Sequence, residues 1–138
     1  MEFVKNIEEQ NQRLNYLIPI LLSETNFKIK IPEDFIKIEN QYLQERLKSF
    51  SITNINQLQP LSYTHPFLSE TKKIKNINKI CLWKGNITKL QIDAIVNAGN
   101  NGGLGCFQPT HVCIDNQIHS EAGTGLRMEC NEYMKKNK

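Results

Sequence analysis

Residues 92–113 read IDAIVNAGNNGGLGCFQPTHVC, and the order of their chemistry decides the fold class. Ile92-Asp93-Ala94-Ile95-Val96 is short, apolar and β-branched, as a strand is. It runs straight into Asn97-Ala98-Gly99-Asn100-Asn101-Gly102-Gly103. An apolar strand that empties into a glycine and asparagine loop is an α/β pattern. In such sheets ligands bind at the carboxyl ends of the strands, where glycine lets the backbone approach a phosphate or ribose closely. The loop continues into GCFQPTHVC, residues 105–113, which holds two thiols and an imidazole. Zinc takes thiolate sulfur and imidazole nitrogen, and three protein ligands leave a fourth tetrahedral position open, as a catalytic site requires. Cys106, His111 and Cys113 are that set; the competing reading is two dispersed thiols beside a surface histidine.

The flanking sequence fits the same class. Lys79-Ile80-Cys81-Leu82-Trp83 is a short strand candidate. A helix is expected from about Cys113 to Ala122, broken by Gly123, with another from Thr124 that turns Leu126, Cys130 and Tyr133 or Met134 inward. Cys81 and Cys130 read as core residues, since free cysteine is among the most buried types. His119 reads as a helix surface or packing residue rather than a fourth ligand, Asp93 as an edge or pairing residue, Asn97 as part of the strand-end turn and Trp83 as core. His65, before Pro66, gives no signal.

Upstream of Ile80 the character is helical. Leu14, Leu17, Ile18, Leu21 and Leu22 recur at helical spacing, with Pro19 expected to kink or restart that helix. A second helix is expected from Pro32, followed by Glu33 and Asp34, which suit the positive end of the helix dipole. Phe35, Tyr42, Leu43, Leu47 and Phe50 would be its apolar stripe. Residues 51–78 are polar and contain Pro60 and Pro66, as a connector does. The chain thus divides into a helical extension and connector, residues 1–78, and an α/β part, residues 79–138.

Composition sets the outer bounds. The 138 residues amount to one domain, with a net charge of +3 and four cysteines. Lysines and asparagines are spread along the chain, so no nucleic-acid partner is expected. No apolar run approaches the roughly 20 residues of a membrane span. The first residues, MEFVKNIEEQNQR, carry charges where a signal peptide is apolar, so the expected location is the cytoplasm. In that reducing compartment the thiols are expected to be ligands, buried groups or reactive sites rather than disulfides.

The runs WKGNITKLQIDAIVNAGN, residues 83–100, and LGCFQPTHVCIDNQIHSEAGTGLRMEC, residues 104–130, resemble the start of a macrodomain, the ADP-ribose-binding α/β fold. More narrowly, they resemble the zinc-containing macrodomain protein-ADP-ribose hydrolases, which also carry a helical N-terminal extension similar to QRLNYLIPILLSE. The resemblance implies a three-layer sheet and a zinc ion on Cys106, His111 and Cys113. It implies an ADP-ribose site of Asn86, Ile87, Asn100, Cys113, Ile114 and Asp115. Asn86 stands where the family has an aspartate that accepts from the adenine amino group, so a charge-assisted bond becomes a neutral one of about half the strength. Ile87 would keep a backbone contact to adenine. Asn100 resembles the asparagine that holds the distal ribose, and Gly99 replaces the usual alanine.

Asn100 and Asp115 are the implied catalytic pair. Asp115 could accept a ribose hydroxyl or the proton of an attacking water. The implied partners are ADP-ribose and a protein carrying mono-ADP-ribose on an acidic side chain. The second glycine-rich loop of a macrodomain finds no candidate before Lys138, so the sheet is expected to be incomplete. Two functions follow: a zinc-dependent hydrolase, or a non-catalytic remnant that binds zinc or ADP-ribose.

Overall fold

The computed structural model describes residues 30–67 and 74–137, and the helix expected on Leu14 to Leu22 lies outside them. The described residues form two compact units: one comprises those up to Ser49 and from Val96 onward, the other Phe50–Ile95.

In the first unit, helix α1 spans Glu33–Leu47, with Pro32 as its N-cap and Glu33 and Asp34 in its first turn. Proline's fixed φ and missing N–H cost nothing at a helix start, and the two carboxylates suit the dipole. The packed face runs through Ile36, Glu39, Tyr42, Leu43 and Arg46, at the three- and four-residue steps of a helix, and only Leu43 is fully buried. The stripe expected from the sequence is corrected at both ends: Phe35, in the first turn, is exposed, and Phe50 lies beyond the helix.

Helix α2, Ile114–Ala122, and helix α3, Thr124–Lys136, meet at Gly123, and both contact α1. Gly123 has a φ of +80°, and a β-carbon there would stand 2.8 Å from Leu43 Cδ1 and 3.1 Å from the Glu39 carboxylate. Only glycine combines that backbone with that approach. Glu39 then caps α3 from across the unit, accepting from the Thr124 amide at 2.9 Å and its hydroxyl at 2.8 Å. Arg46 and Glu121 pair at 3.2 Å on the same seam.

The inner face of α3 is Thr124, Arg127 and Asn131, at i, i+3 and i+7, and all three are buried. Leu126, Cys130 and Tyr133, expected inside, instead line an open groove with Met134 and Gly103. Hydrophobicity misleads at Arg127 because the loop offers it the Cys106 carbonyl, which selects a donor over a methyl group.

In the second unit, β1, Thr53–Asn54, pairs in parallel with β2, Leu90–Gln91, with Thr53 opposite Leu90 and Asn54 opposite Gln91. Asn54 caps the following 3₁₀ turn, Ile55–Gln57, in a reciprocal capping box with Gln57 and donates to the Gln91 side chain at 3.1 Å. The strand expected at residues 79–83 is reduced to one antiparallel bridge, Cys81 with Pro60. No strand forms at residues 92–96, so Asp93 is not a sheet residue among those described. A strand needs neighbours for its amides and carbonyls; residues 79–83 meet the chain at Pro60 and Leu61, whose amide donates to Ile80 O at 2.7 Å, and residues 92–96 pair with no described strand. Lys89 places its ammonium 4.0 Å over the Phe50 ring. Trp83 is half-buried and covers Gly85 so closely that a β-carbon there would stand 2.3 Å from the indole. The described residues are therefore mixed α/β, with a sheet of two short parallel strands.

Candidate functional site

The loop from Val96 to Cys113 has no regular structure, so its shape is set by side chains that bond to its backbone. Asn100 makes the first turn: its Oδ1 accepts from Gly102 N at 2.9 Å while its Nδ2 donates to Gly105 O at 3.1 Å. Gly105 follows at a φ of +83°, with the His119 ring directly beneath it. Asn116, buried on α2, directs one amide group at three carbonyls, those of Gln108 at 3.0 Å, Pro109 at 3.3 Å and His111 at 3.0 Å. Two N–H groups cannot fill three full bonds, so one is shared. Residues 108–111 are thereby stapled to the helix start.

This brings Cys106, His111 and Cys113 together, with their ligating atoms all within 4.8 Å of one another. Cys106 Sγ lies 3.5 Å from His111 Nδ1. Sulfur at about 2.3 Å and nitrogen at about 2.0–2.1 Å from a tetrahedral zinc stand roughly 3.6 Å apart, so this edge is ready for the ion. Cys113 is the N-cap of α2, its sulfur accepting from Asn116 N at 3.3 Å. Cys106 Sγ also accepts from Gln108 N at 3.4 Å. Among the described residues no further His, Cys, Asp or Glu joins the group, and the exposed His111 and Val112 put it at the surface. Three ligands with an open side fit a metal that keeps an exchangeable position. The burial, Glu129 and Asp115 that push the Cys130 thiol up keep it protonated, in line with its place outside the ligand set.

Asp115 is 4 % exposed, in the first turn of α2. Its Oδ1 accepts from Asn97 Nδ2 at 2.7 Å and stands 3.6 Å from His119 Nε2. Asn97 is thus more than a turn residue: it orients the carboxylate. His119 is buried, and burial first, then Arg127, push its pKa below the ordinary value while Asp115 opposes them. It is neutral at pH 7, a packing residue as its helical position suggests, and its Nδ1 has no hydrogen-bond partner among the described residues. Ile114 is half-buried beside Asp115.

The sequence reading passed over Arg127 and Asn116. Arg127 is completely buried, donates from Nη2 to Cys106 O at 3.0 Å and lies 4.5 Å over the Phe107 ring. The available signal was a polar i, i+3, i+7 series on α3.

In the second unit, Asn86 caps the 3₁₀ turn Ile87–Lys89. Its Oδ1 accepts from Thr88 N at 3.0 Å and from Thr88 Oγ1 at 2.7 Å, which occupies both lone pairs. Ile87 is half-buried.

No family model matches the chain. Among curated proteins it is similar to the protein-ADP-ribose hydrolase of Treponema medium, 40% identical over 98 residues, which are 71% of this chain and 33% of the relative. It is similar to the protein-ADP-ribose hydrolase of Staphylococcus aureus strain Mu50, 32% identical over 149 residues, 96% of this chain and 53% of the relative. Over a shorter stretch of 68 residues it is 52% identical to the protein so named in strain COL, with 49% of this chain and 25% of the relative aligned. The chain therefore spans at most about half the length of these relatives. Similarity at this level along nearly the whole chain places it in the protein-ADP-ribose hydrolase family.

Proposed function

We propose that this chain carries the metal-bearing part of a zinc-dependent hydrolase that removes mono-ADP-ribose from acidic side chains of proteins, and that residues 79–138 belong to a macrodomain-type three-layer fold. The observation that carries this is the Cys106, His111 and Cys113 triangle, whose 3.5 Å sulfur to nitrogen edge matches tetrahedral zinc. A zinc ion held there would supply Lewis-acid polarisation and a fixed point of orientation beside the ribose. Two thiolate ligands donate charge, so orientation is its larger contribution. They also suit a reducing compartment, the cytoplasm.

The chain's own residues have distinct tasks in this reading. Asp115, held by Asn97, accepts the proton of the water that adds to the anomeric carbon as the bond to the acyl oxygen breaks. Asn100 orients the distal ribose, and Cys113 with Ile114 lines the same loop. Asn86 and Ile87 receive the adenine. The test is release of ADP-ribose from an automodified acceptor protein by the zinc-loaded chain, with Asp115→Asn and chelated controls. Zinc-dependent release lost in Asp115→Asn supports the reading; release unaffected by chelation and by Asp115→Asn overturns it.

One observation favours a second reading, a binding module without turnover. Both lone pairs of Asn86 Oδ1 are filled by Thr88, so adenine would meet no free acceptor there. Calorimetric titration with ADP-ribose separates the two: saturable binding without release identifies the module.

A further inference from the structure

We propose that Arg127, together with Phe107, is a positioning residue for the metal loop: it clamps the peptide carbonyl of Cys106 and so fixes where that ligand's sulfur stands relative to His111 and Cys113. The inference rests on the metal-site reading. Arg127 is the largest fully buried side chain among the described residues, and a guanidinium keeps its charge at every physiological pH. Burying such a group is costly unless donors and charge are met, so its contacts indicate what it is for. Nη2 reaches across 21 positions to Cys106 O at 3.0 Å, and the guanidinium carbon lies 4.5 Å over the ring of the next residue, Phe107. Burial pushes the Arg127 pKa below its ordinary value, with Asp115 opposing it. A methionine or leucine of similar volume would fill the space but could hold neither the carbonyl nor the ring.

Cys106 is consequently pinned on both flanks. Before it, Gly105 sits at a φ of +83° against the His119 ring; after it, Arg127 holds the carbonyl. Asn116 does the same for residues 108–111. The ligands thus gain through three buried side chains the rigidity that a strand or helix would otherwise give, and ordering the ligands before the ion arrives raises affinity.

The test compares wild type, Arg127→Met, Arg127→Lys, Phe107→Leu and Cys106→Ala for zinc affinity by chelator competition and for the visible bands of the cobalt-substituted protein. Arg127→Met is expected to weaken zinc about tenfold to a hundredfold, the usual range for groups that orient ligands, and to shift the cobalt bands. Arg127→Lys, which keeps a charge and a donor, recovers part of the loss. A purely structural role would lower the midpoint of unfolding equally with and without zinc, whereas the clamp predicts a smaller zinc-induced rise. Wild-type affinity and bands in Arg127→Met overturn the proposal. Should Arg127→Met fail to fold, Phe107→Leu decides, because that half-exposed ring can be removed from the surface: a severalfold loss of affinity supports the clamp, unchanged affinity overturns it. A wild type that takes up no zinc, or zinc retained in Cys106→Ala, overturns the metal-site reading itself.

Discussion

Replacing Gly105 by alanine is expected to cost the metal-free chain about 2–5 kcal/mol. The backbone contributes the first part: a left-handed φ, here +83°, costs an L-residue roughly 1–2 kcal/mol. The second part is steric. The new methyl would stand 2.6 Å from Cδ2, 2.7 Å from Cγ and 2.9 Å from Nε2 of His119. That ring is 3 % exposed and wedged beside Asp115, so it has nowhere to swing, and overpacking of this kind costs roughly 1–3 kcal/mol. Domains of this size are stable by only about 5–15 kcal/mol, so the loss takes a large share. The assay is urea unfolding followed by far-UV circular dichroism, with chelator present. Gly99→Ala is the internal control, because its methyl would meet Asn97 Nδ2 at 3.4 Å and Asp115 Oδ1 at 3.6 Å, ordinary contacts at an unstrained φ. It should change stability by less than about 0.5 kcal/mol. A Gly105→Ala loss no larger than that of Gly99→Ala would refute the argument.

Other perturbations follow from the same contacts. Glu39→Ala leaves the buried Thr124 amide and hydroxyl without their acceptor and should destabilise by about 1–2 kcal/mol, with Glu39→Gln losing less, as read by thermal melts. Asn116→Ala strands the carbonyls of Gln108 and His111, so a loss of about 1–3 kcal/mol and weaker zinc uptake are expected in the same titrations. The lowered pKa of His119 means the unfolded chain binds more protons than the folded one in the window beneath about pH 6.5, the unfolded value. Stability is complete above that pH and declines as pH falls through the window; in metal-free protein a flat urea midpoint from pH 7.5 to 5 would contradict this.

The closeness of Cys106, His111 and Cys113 was legible, because they lie near one another in the sequence. Gly123 marked the junction of α2 and α3, and Pro32 the start of α1, since both act through local backbone geometry. The Cys106, His111 and Cys113 grouping also met the expectation. What failed was long-range. Ile92–Val96 has strand composition, but no described neighbour supplies the pairing that makes composition into a strand. The inner face of α3 was assigned by hydrophobicity, yet the loop it packs on offers the Cys106 carbonyl, and Arg127 answers it. Asn116 and Asn97 look like ordinary turn and helix-start residues until the loop is folded over them.

The central claim, that Cys106, His111 and Cys113 hold a metal in this member of the hydrolase family, is tested most directly by zinc stoichiometry in native mass spectrometry. The account predicts one zinc per wild-type chain and loss of that zinc in Cys106→Ala. A zinc-free wild type, or a Cys106→Ala chain with undiminished zinc, would contradict it.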